Sequence, residues 1–243
     1  MTEKISDASG HSSQLLSTTK LLRLVSLMFV GLSVVFIYSF DGRQVGGSMT
    51  WKDGNTFISA GSDPTMLIWA VLSIALFVVL MVRKPSTVAE GIPSRKRRIM
   101  AVVIDLWFSA LALVSIMSPV PLWIEAARTG HFSWYFQRNY SVNTDILSEL
   151  LVPLGWALVI LYFAFPLMRG RQTLGCFITR LRVAPPFGDE GSFTLKAALM
   201  RTYYAFIGLV TLTLLTRNRE RDDQGRTWYD RKTNCTVVLV NDD

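Results

Sequence analysis

The fold of this chain is decided by residues 95–118, which read RKRRIMAVVIDLWFSALALVSIMS. Four cations stand directly before an apolar run, and the single acid within that run is Asp105. The run is long enough to cross the hydrocarbon core of a bilayer as a helix. A carboxylate near the centre of such a helix costs roughly 2.5 to 3.5 kcal/mol on insertion scales. Asp105 therefore needs a partner, a water-filled cavity or a proton.

The composition of the whole chain is also that of a membrane protein. Half of the 243 residues are hydrophobic, only 18% are charged, and the mean hydropathy is +0.33. The apolar residues fall in long blocks, not in short alternating runs, which predicts spanning helices at residues 21–40, 66–82, 99–118 and 150–168. The net charge of +7 would suggest nucleic acid in a soluble protein. Here the cations cluster beside the apolar blocks, so we expect no nucleic-acid partner.

The positions of lysine and arginine predict the orientation in the membrane. Residues 83–98 carry six cations and one acid, so the positive-inside rule places this connection and the N-terminus in the cytoplasm. We divide the chain into a disordered cytoplasmic tail over residues 1–19, a transmembrane hairpin over 20–90, and a membrane domain with a cytoplasmic tail over 91–243.

Three further segments complete the predicted architecture. In residues 169–186 the apolar positions 174, 177, 178 and 181 follow helical spacing among several arginines, which predicts an amphipathic helix on the cytoplasmic surface facing anionic headgroups. Residues 194–216 form a short final membrane segment, either a fifth span or a re-entrant one; we prefer the second because it keeps the basic tail cytoplasmic. Residues 234–241 predict a small strand or an extended cap. The expected fold is thus an all-α integral membrane protein with four full transmembrane helices and a short C-terminal tail.

Several spaced residues together resemble one family. Arg98-x-x-Ala-x-x-Ile-Asp105 opens a membrane helix, Thr173-Leu-Gly175 follows the next one, and Asp230 and Thr236 stand in the tail. This order resembles the RDD family of bacterial membrane proteins, named for an arginine and two aspartates. The resemblance covers roughly residues 95–240. It implies a multi-pass protein of the bacterial inner membrane whose named residues are Arg98 (or Arg97), Asp105 and Asp230, with Thr173, Gly175 and Thr236 in the family motif.

The chain departs from the family pattern at two places. Cys176 stands where the family usually has lysine, and Asn234-Cys235 stands where it usually has Ala-Gly. A role tied to that lysine therefore does not carry over. The family has no settled common function, although cation/proton antiport has been attributed to some members. The resemblance therefore restricts the possible membrane topologies more than the possible activities.

Arg98 and Asp105 are seven residues apart, which places them on one helix face about 10.5 Å apart along the axis. Arg201, near the inner end of the final segment, is the best partner candidate for Asp105 because its long side chain can reach a similar depth. Three interpretations of Asp105 stay open. It forms a buried pair with Arg98 or Arg201 that fixes helix packing, it is an ion or proton site, or it faces water.

The predicted function depends on the roles assigned to the buried aspartates and arginines. Asp230 caps a turn or holds a neighbouring cation, or else it meets residues 95–98 if the tail folds under the bundle. The sequence has no nucleophile constellation, phosphate loop or metal-ligand spacing, so we expect no enzyme activity and no cofactor. We predict an accessory or assembly subunit of a larger membrane complex, with a protein partner or a second copy in the membrane. The alternative is a small cation or proton transporter, antiporter-like, that uses Asp105.

Overall fold

The computed structural model describes residues 8–38, 46–52, 55–83, 87–89, 91–141, 146–185, 193–210 and 226–241. Its helices are α1 (Ala8–Tyr38), α2 (Pro64–Val82), α3 (Arg95–Met117), α4 (Pro119–Thr129), α5 (Ile146–Met168), α6 (Leu174–Ile178), α7 (Leu195–Val210) and α8 (Trp228–Lys232). Its strands are β1 (Gly46–Lys52), β2 (Asn55–Gly61), β3 (Val88–Ala89), β4 (Tyr135–Ser141), β5 (Leu181–Ala184) and β6 (Thr236–Val240). The fold is mostly helical, as expected of an all-α membrane protein, but it also contains short strands.

Four helices are long and apolar enough to cross a membrane, and they lie where the sequence predicts the four spans. Their candidate spans are Thr18–Ile37, Pro64–Val82, Arg95–Thr129 and Leu150–Met168, with hydropathies between 2.1 and 2.7. Large apolar side chains on these helices are exposed, for example Leu24, Val71 and Val152. In a bilayer these side chains face lipid, because lipid tails are as apolar as leucine.

The helix limits differ from the sequence expectation at two points. α1 begins at Ala8, so residues 8–19 are helical where we predicted a disordered tail; residues 1–7 lie outside the described part of the chain. α3 begins at Arg95 and is followed directly by α4 after Ser118. α4 ends because Gly130 takes a left-handed conformation with φ of 72° and bonds back to the carbonyl of Ala126.

The chain divides into two compact units. Unit 1 comprises Met1–Leu32, Val78–Leu106 and Tyr162–Asp243, and unit 2 comprises Ser33–Phe77 and Trp107–Leu161. Unit 2 contains an antiparallel sheet in the order β1-β2-β4, whose strands lie between α1 and α2 and between α4 and α5, where the sequence analysis predicted no strand. Unit 1 contains a second antiparallel sheet, in the order β3-β6-β5.

The central strand of the unit 1 sheet is β6, which confirms the strand predicted at the end of the chain. Leu239 of β6 pairs with Leu181 on one side and with Ala89 on the other. The inner face of this sheet packs on α3, where Ala101, Leu181 and Val237 form one buried cluster. The C-terminal segment is therefore held at the same end of unit 1 as the connection before α3 and the connection after α6.

The amphipathic surface helix predicted over residues 169–186 is wrong. Of the described residues 169–185, only Leu174–Ile178 is helical, and the chain then turns at Arg180, whose φ is 60°, into strand β5. The apolar side chains that suggested a membrane face, Leu174, Phe177 and Leu181, are at most 1% exposed and lie inside the protein. Helical spacing was misleading here because β5 is fixed by pairing with β6, far away in the sequence.

The final membrane segment is only partly described. α7 covers 16 residues, and residues 211–216 of the predicted segment lie outside the described part of the chain. Whether the segment spans or re-enters thus stays a prediction.

Candidate functional site

The carboxylate of Asp105 is buried in unit 1 and accepts hydrogen bonds from three neutral groups. The hydroxyl of Tyr162 on α5 donates to Oδ1 at 2.6 Å, and the backbone N–H of Gly175 donates to the same oxygen at 2.7 Å. The hydroxyl of Thr173 donates to Oδ2 at 2.7 Å. Asp105 and Thr173 are 5% and 8% exposed. Hydrogen bonds to a charged acceptor are the strong ones, and a carboxylate with three of them is well satisfied without a counter-ion.

This arrangement organises the first turn of α6. A helix of five residues is not stable by itself, and its first N–H groups have no partners within the helix. Here Leu174 donates to the Tyr162 hydroxyl at 3.2 Å, and Cys176 donates to Oγ1 of the N-cap residue Thr173 at 3.5 Å. The N–H of Gly175, between them, is taken by Asp105. Asp105, an acid within a membrane helix, therefore holds the first turn of α6 in place.

Gly175 is required at its position by the close approach of α6 to α3. A Cβ on this residue would overlap the carbonyl group of Ala101 and would lie 2.8 Å from Cγ of Asp105. The obstacle is backbone, so it cannot move aside as the end of a side chain can. A glycine N–H is consequently brought within hydrogen-bonding distance of the buried carboxylate.

A second buried carboxylate, Asp230 of α8, forms ion pairs with two arginines of the same unit. Nη1 of Arg98 lies 3.1 Å from Oδ2, and Nη1 of Arg201 lies 2.8 Å from Oδ1. Thr227 donates to Oδ2 with both its N–H, at 3.0 Å, and its hydroxyl, at 2.7 Å. Arg201 also donates to the thiol of Cys235. All of these side chains are at least nine-tenths buried.

These contacts keep Asp230 ionised. Burial alone would raise the pKa of Asp230, but the charge of Arg201 and the hydrogen bonds from Thr227 outweigh it and hold the pKa below its usual value. A carboxylate whose pKa is lower in the folded state stabilises the fold above its unfolded pKa of about 4. That stabilisation is lost as the pH falls through the folded pKa.

The predicted pairing of Asp105 with Arg98 or Arg201 is wrong. Both arginines instead meet Asp230, which is the alternative in which the tail folds back to residues 95–98. The structure also selects Arg98 over Arg97, since Arg97 is exposed. Sequence reasoning sought charged partners for Asp105, whereas the partners are neutral donors.

The sequence analysis did not identify two residues of the site, although the sequence contains a feature that points to each of them. Tyr162 is a hydroxyl within an apolar run, and a buried tyrosine usually bonds through its hydroxyl. Thr227 stands three residues before Asp230, the spacing of a capping box at a helix start. Of the family-motif residues, Thr173 and Gly175 contact Asp105, while Thr236 opens β6 opposite Ala184 and donates to neither carboxylate.

A cavity of about 140 Å³ adjoins both networks. Its polar lining comes from Asp105, Thr173, Cys176, Arg201 and Thr202, and its apolar lining comes from residues such as Phe163 and Phe206. Burial, followed by the nearby charge of Asp105, raises the pKa of the Cys176 thiol to about 12. This thiol is therefore protonated at physiological pH. Across the described residues, no group of three or more His, Cys, Asp or Glu side chains could hold a metal ion.

Phe177 of α6 connects this site to the first two helices. The guanidinium carbons of Arg23 and Arg83 lie 5.2 and 4.8 Å from the centre of its ring. Nε of Arg23 donates to the carbonyl of Phe177 at 3.3 Å. Nη2 of Arg83 donates to Thr19 at 3.3 Å, and the guanidinium of Arg171 donates to the carbonyl of Arg83. Cation–π contacts thus hold α1 and the end of α2 against α6.

The four apolar helices and the two buried carboxylate networks define an integral membrane protein with an internal set of arginine and aspartate charges. A family model described as the RDD family matches residues 92–234, which is more than half of the chain. The chain therefore belongs to the RDD family. The matched region contains both carboxylate networks, whereas α1 and α2 precede it. No significant match was found among curated proteins or among solved structures.

Proposed function

We propose that this protein is an accessory or assembly subunit of a larger complex in the bacterial inner membrane, and that its arginine and aspartate set is structural. One observation carries this proposal: both oxygens of each buried carboxylate already accept hydrogen bonds from the protein. Asp105 accepts three, and Asp230 accepts from Arg98, Arg201 and Thr227. Carboxylates engaged in this way fix the packing of α3, α6, α7 and α8. Releasing them for transport would break the contacts that define unit 1.

The distribution of charge supports an orientation with the N-terminus in the cytoplasm. Among the described residues, unit 1 has sixteen Lys and Arg against two acids, both buried, whereas unit 2 has three of each sign. Cytoplasmic segments of membrane proteins carry the excess of Lys and Arg. We accordingly assign the surface of unit 1 to the cytoplasmic side, and with it the C-terminal strand β6.

The test is isolation of the tagged full-length chain from its native membrane in a mild detergent, followed by mass spectrometry and determination of the mass of the complex. We expect a partner protein in fixed ratio, or a second copy of the chain. Asp105→Asn should lower the amount of protein in the membrane, because the amide nitrogen faces the Gly175 N–H or one of the hydroxyl donors. Arg97→Gln, at an exposed position, is the control and should leave the amount unchanged. A monomeric chain with no partner would contradict the proposal.

A second candidate function is the transport of a cation or proton. It is favoured by the cavity of about 140 Å³, which both Asp105 and Arg201 line. A water in the liquid occupies about 30 Å³, so the cavity is large enough for a few waters, and it offers them polar partners. An Asp105→Asn variant that accumulates normally but loses ion- or proton-coupled flux in vesicles would establish this function and overturn the first.

A further inference from the structure

A cavity of about 430 Å³ lies in unit 2, between the end of α3 and the first half of α5. Residues 151–159 of α5 contribute one wall, and Gly155 among them allows a close approach to α3, because a Cβ there would lie 3.2 Å from Cδ1 of Leu113. Val152 and Trp156, on the same wall, are 66% and 59% exposed, so the cavity opens to the surroundings of the helices. Its volume is that of a ligand pocket, for which roughly 300 to 1,000 Å³ is usual.

The lining of this cavity is apolar. Among the residues that line it, only Ser118 and Trp156 carry a nitrogen or oxygen atom in the side chain. The hydroxyl of Ser118 shares a hydrogen bond of 3.0 Å with the hydroxyl of Ser62, so it is already partnered. A polar ligand would leave its own donors and acceptors without partners here, which costs free energy in an apolar site. The cavity therefore favours a hydrocarbon ligand.

The depth of the cavity places it in the hydrocarbon core of the bilayer. The candidate span of α5 begins at Leu150, so residues 151–159 reach from the start of the span to about 13.5 Å inside it. Half of a hydrocarbon core of about 30 Å is about 15 Å, so the cavity lies within one leaflet. The surroundings into which it opens are therefore acyl chains.

An exposed aromatic cluster marks the membrane boundary beside the cavity. The ring of Phe132 meets the rings of Trp123 and Trp134 edge to face, with centroids 6.5 and 4.9 Å apart, and all three side chains are exposed. The carbonyl of Trp134 accepts a hydrogen bond of 3.0 Å from the N–H of Ser62, whose hydroxyl contacts Ser118 in the cavity lining. Tryptophan is enriched at the headgroup level of membranes. The cluster thus lies where a lipid whose chain fills the cavity has its headgroup.

The size of the cavity distinguishes a lipid chain from a protein helix. A helix is about 10 to 12 Å across with its side chains, so a length of about 12 Å, equal to that of the α5 wall, occupies about 900 Å³ or more. That is about twice the volume of the cavity. A hydrocarbon chain is only about 4 Å across, the contact distance between carbon atoms, and it fits.

We propose that this cavity binds a hydrocarbon chain of a membrane phospholipid, with the headgroup beside Trp123, Phe132 and Trp134. The chain packs against the end of α3 and the first half of α5. Recognition is through the chain, so the charge of the headgroup has little influence on binding.

The experiment uses the purified full-length protein in a neutral detergent. The probes are phosphatidylglycerol and phosphatidylethanolamine, each with a photoreactive diazirine in the middle of one acyl chain, and the labelled peptides are mapped by mass spectrometry after illumination. The test variant is Val152→Phe, which narrows the cavity. The matched control is Leu154→Phe, which places the same side chain two residues away on the same helix, at an exposed position outside the cavity lining. Size-exclusion chromatography checks that each variant is folded.

We expect both lipids to label peptides covering residues 113–121 and 151–159 in the wild type and in the control. Labelling of these peptides should fall about tenfold in the test variant, the factor expected when about two CH₂ groups of the chain lose their buried position. If the test variant does not fold, the peptide map of the wild type decides alone. Label spread evenly over the lipid-facing positions of all four spans, equal labelling of the two variants, or labelling by phosphatidylglycerol alone would each overturn the proposal.

Discussion

Replacing Gly175 by alanine places a methyl group against the backbone of α3. The new Cβ would overlap the carbonyl group of Ala101 and would lie 2.8 Å from Cγ of Asp105. Since α3 is one of the spanning helices, its backbone cannot give way, and α6 must move outward. The N–H of residue 175 then leaves the Asp105 carboxylate, to which it donates at 2.7 Å.

The size of the effect follows from two contributions. Overpacking a tight contact costs about 1 to 3 kcal/mol, and loss of a hydrogen bond to a buried charged group costs about 1.5 to 3 kcal/mol. Together they reduce the free energy of unfolding by about 2.5 to 6 kcal/mol, a large part of the 5 to 15 kcal/mol that stabilises a typical protein. In a protein of this length that loss lowers the unfolding temperature by on the order of 10 °C.

The matched control is Gly31→Ala in α1, where a Cβ would meet no atom within 4 Å. Alanine is a better helix former than glycine by about 0.5 to 1 kcal/mol, so this variant should be as stable as the wild type or slightly more so. Both variants are measured as fluorescent-protein fusions, by heating in detergent followed by size-exclusion chromatography. A Gly175→Ala protein that unfolds at the wild-type temperature would refute the close approach of α6 to α3.

Three further predictions concern charge, reactivity and sidedness. Asp230→Asn removes the carboxylate with which Arg98 and Arg201 pair and should lose about 3 to 5 kcal/mol of stability. Unlike the wild type, this variant should show no loss of stability from the titration of residue 230 below about pH 4. Unchanged melting temperatures in detergent between pH 7 and 3 for both proteins would contradict this prediction. Alkylation of Cys176 at pH 8 should be about a thousandfold slower in the folded than in the unfolded protein, because folding raises the pKa of the thiol from 9.0 to about 12. Mass spectrometry of protein treated with iodoacetamide measures the rate of alkylation. A cysteine introduced at Asn241, one residue beyond β6, should be labelled only from the cytoplasmic side, and labelling from outside would overturn the proposed orientation.

The four spanning helices could be predicted because hydropathy is a local property. Each block of residues carries enough apolar side chains to define a span by itself, without knowledge of its neighbours. The strand β6 was predicted for a similar reason, since Thr236–Val240 is rich in β-branched residues. The positions of α6 and β5 could not be obtained in this way. Arg180 with a positive φ and the pairing of β5 with β6 override a helical spacing that the sequence does contain.

The sequence singled out four charged residues of the candidate site, but neither Tyr162 and Thr227 nor the pairs in which the charges meet. Arg98, Asp105, Arg201 and Asp230 are all buried, and each belongs to one of the two carboxylate networks of unit 1. Their pairing depends on contacts between residues up to 132 positions apart, which no local pattern encodes. The partners of Asp105 were also overlooked because a neutral hydroxyl or a glycine N–H leaves little trace in a sequence, although each satisfies a buried carboxylate.

The central position of β6 has a consequence for the order in which this protein matures. Ribosomes synthesise α3, α6 and α7 before the segment that carries Asp230 and β6, so membrane insertion of the earlier helices precedes completion of unit 1. Until that segment is made, Arg98 and Arg201 lack Asp230, and the facing edges of β3 and β5 have no strand between them. An exposed strand edge invites pairing with other chains, and a chain halted before residue 230 presents two such edges. Completion of the C-terminal segment is thus the step that supplies Arg98 and Arg201 with the Asp230 carboxylate and covers the facing edges of β3 and β5.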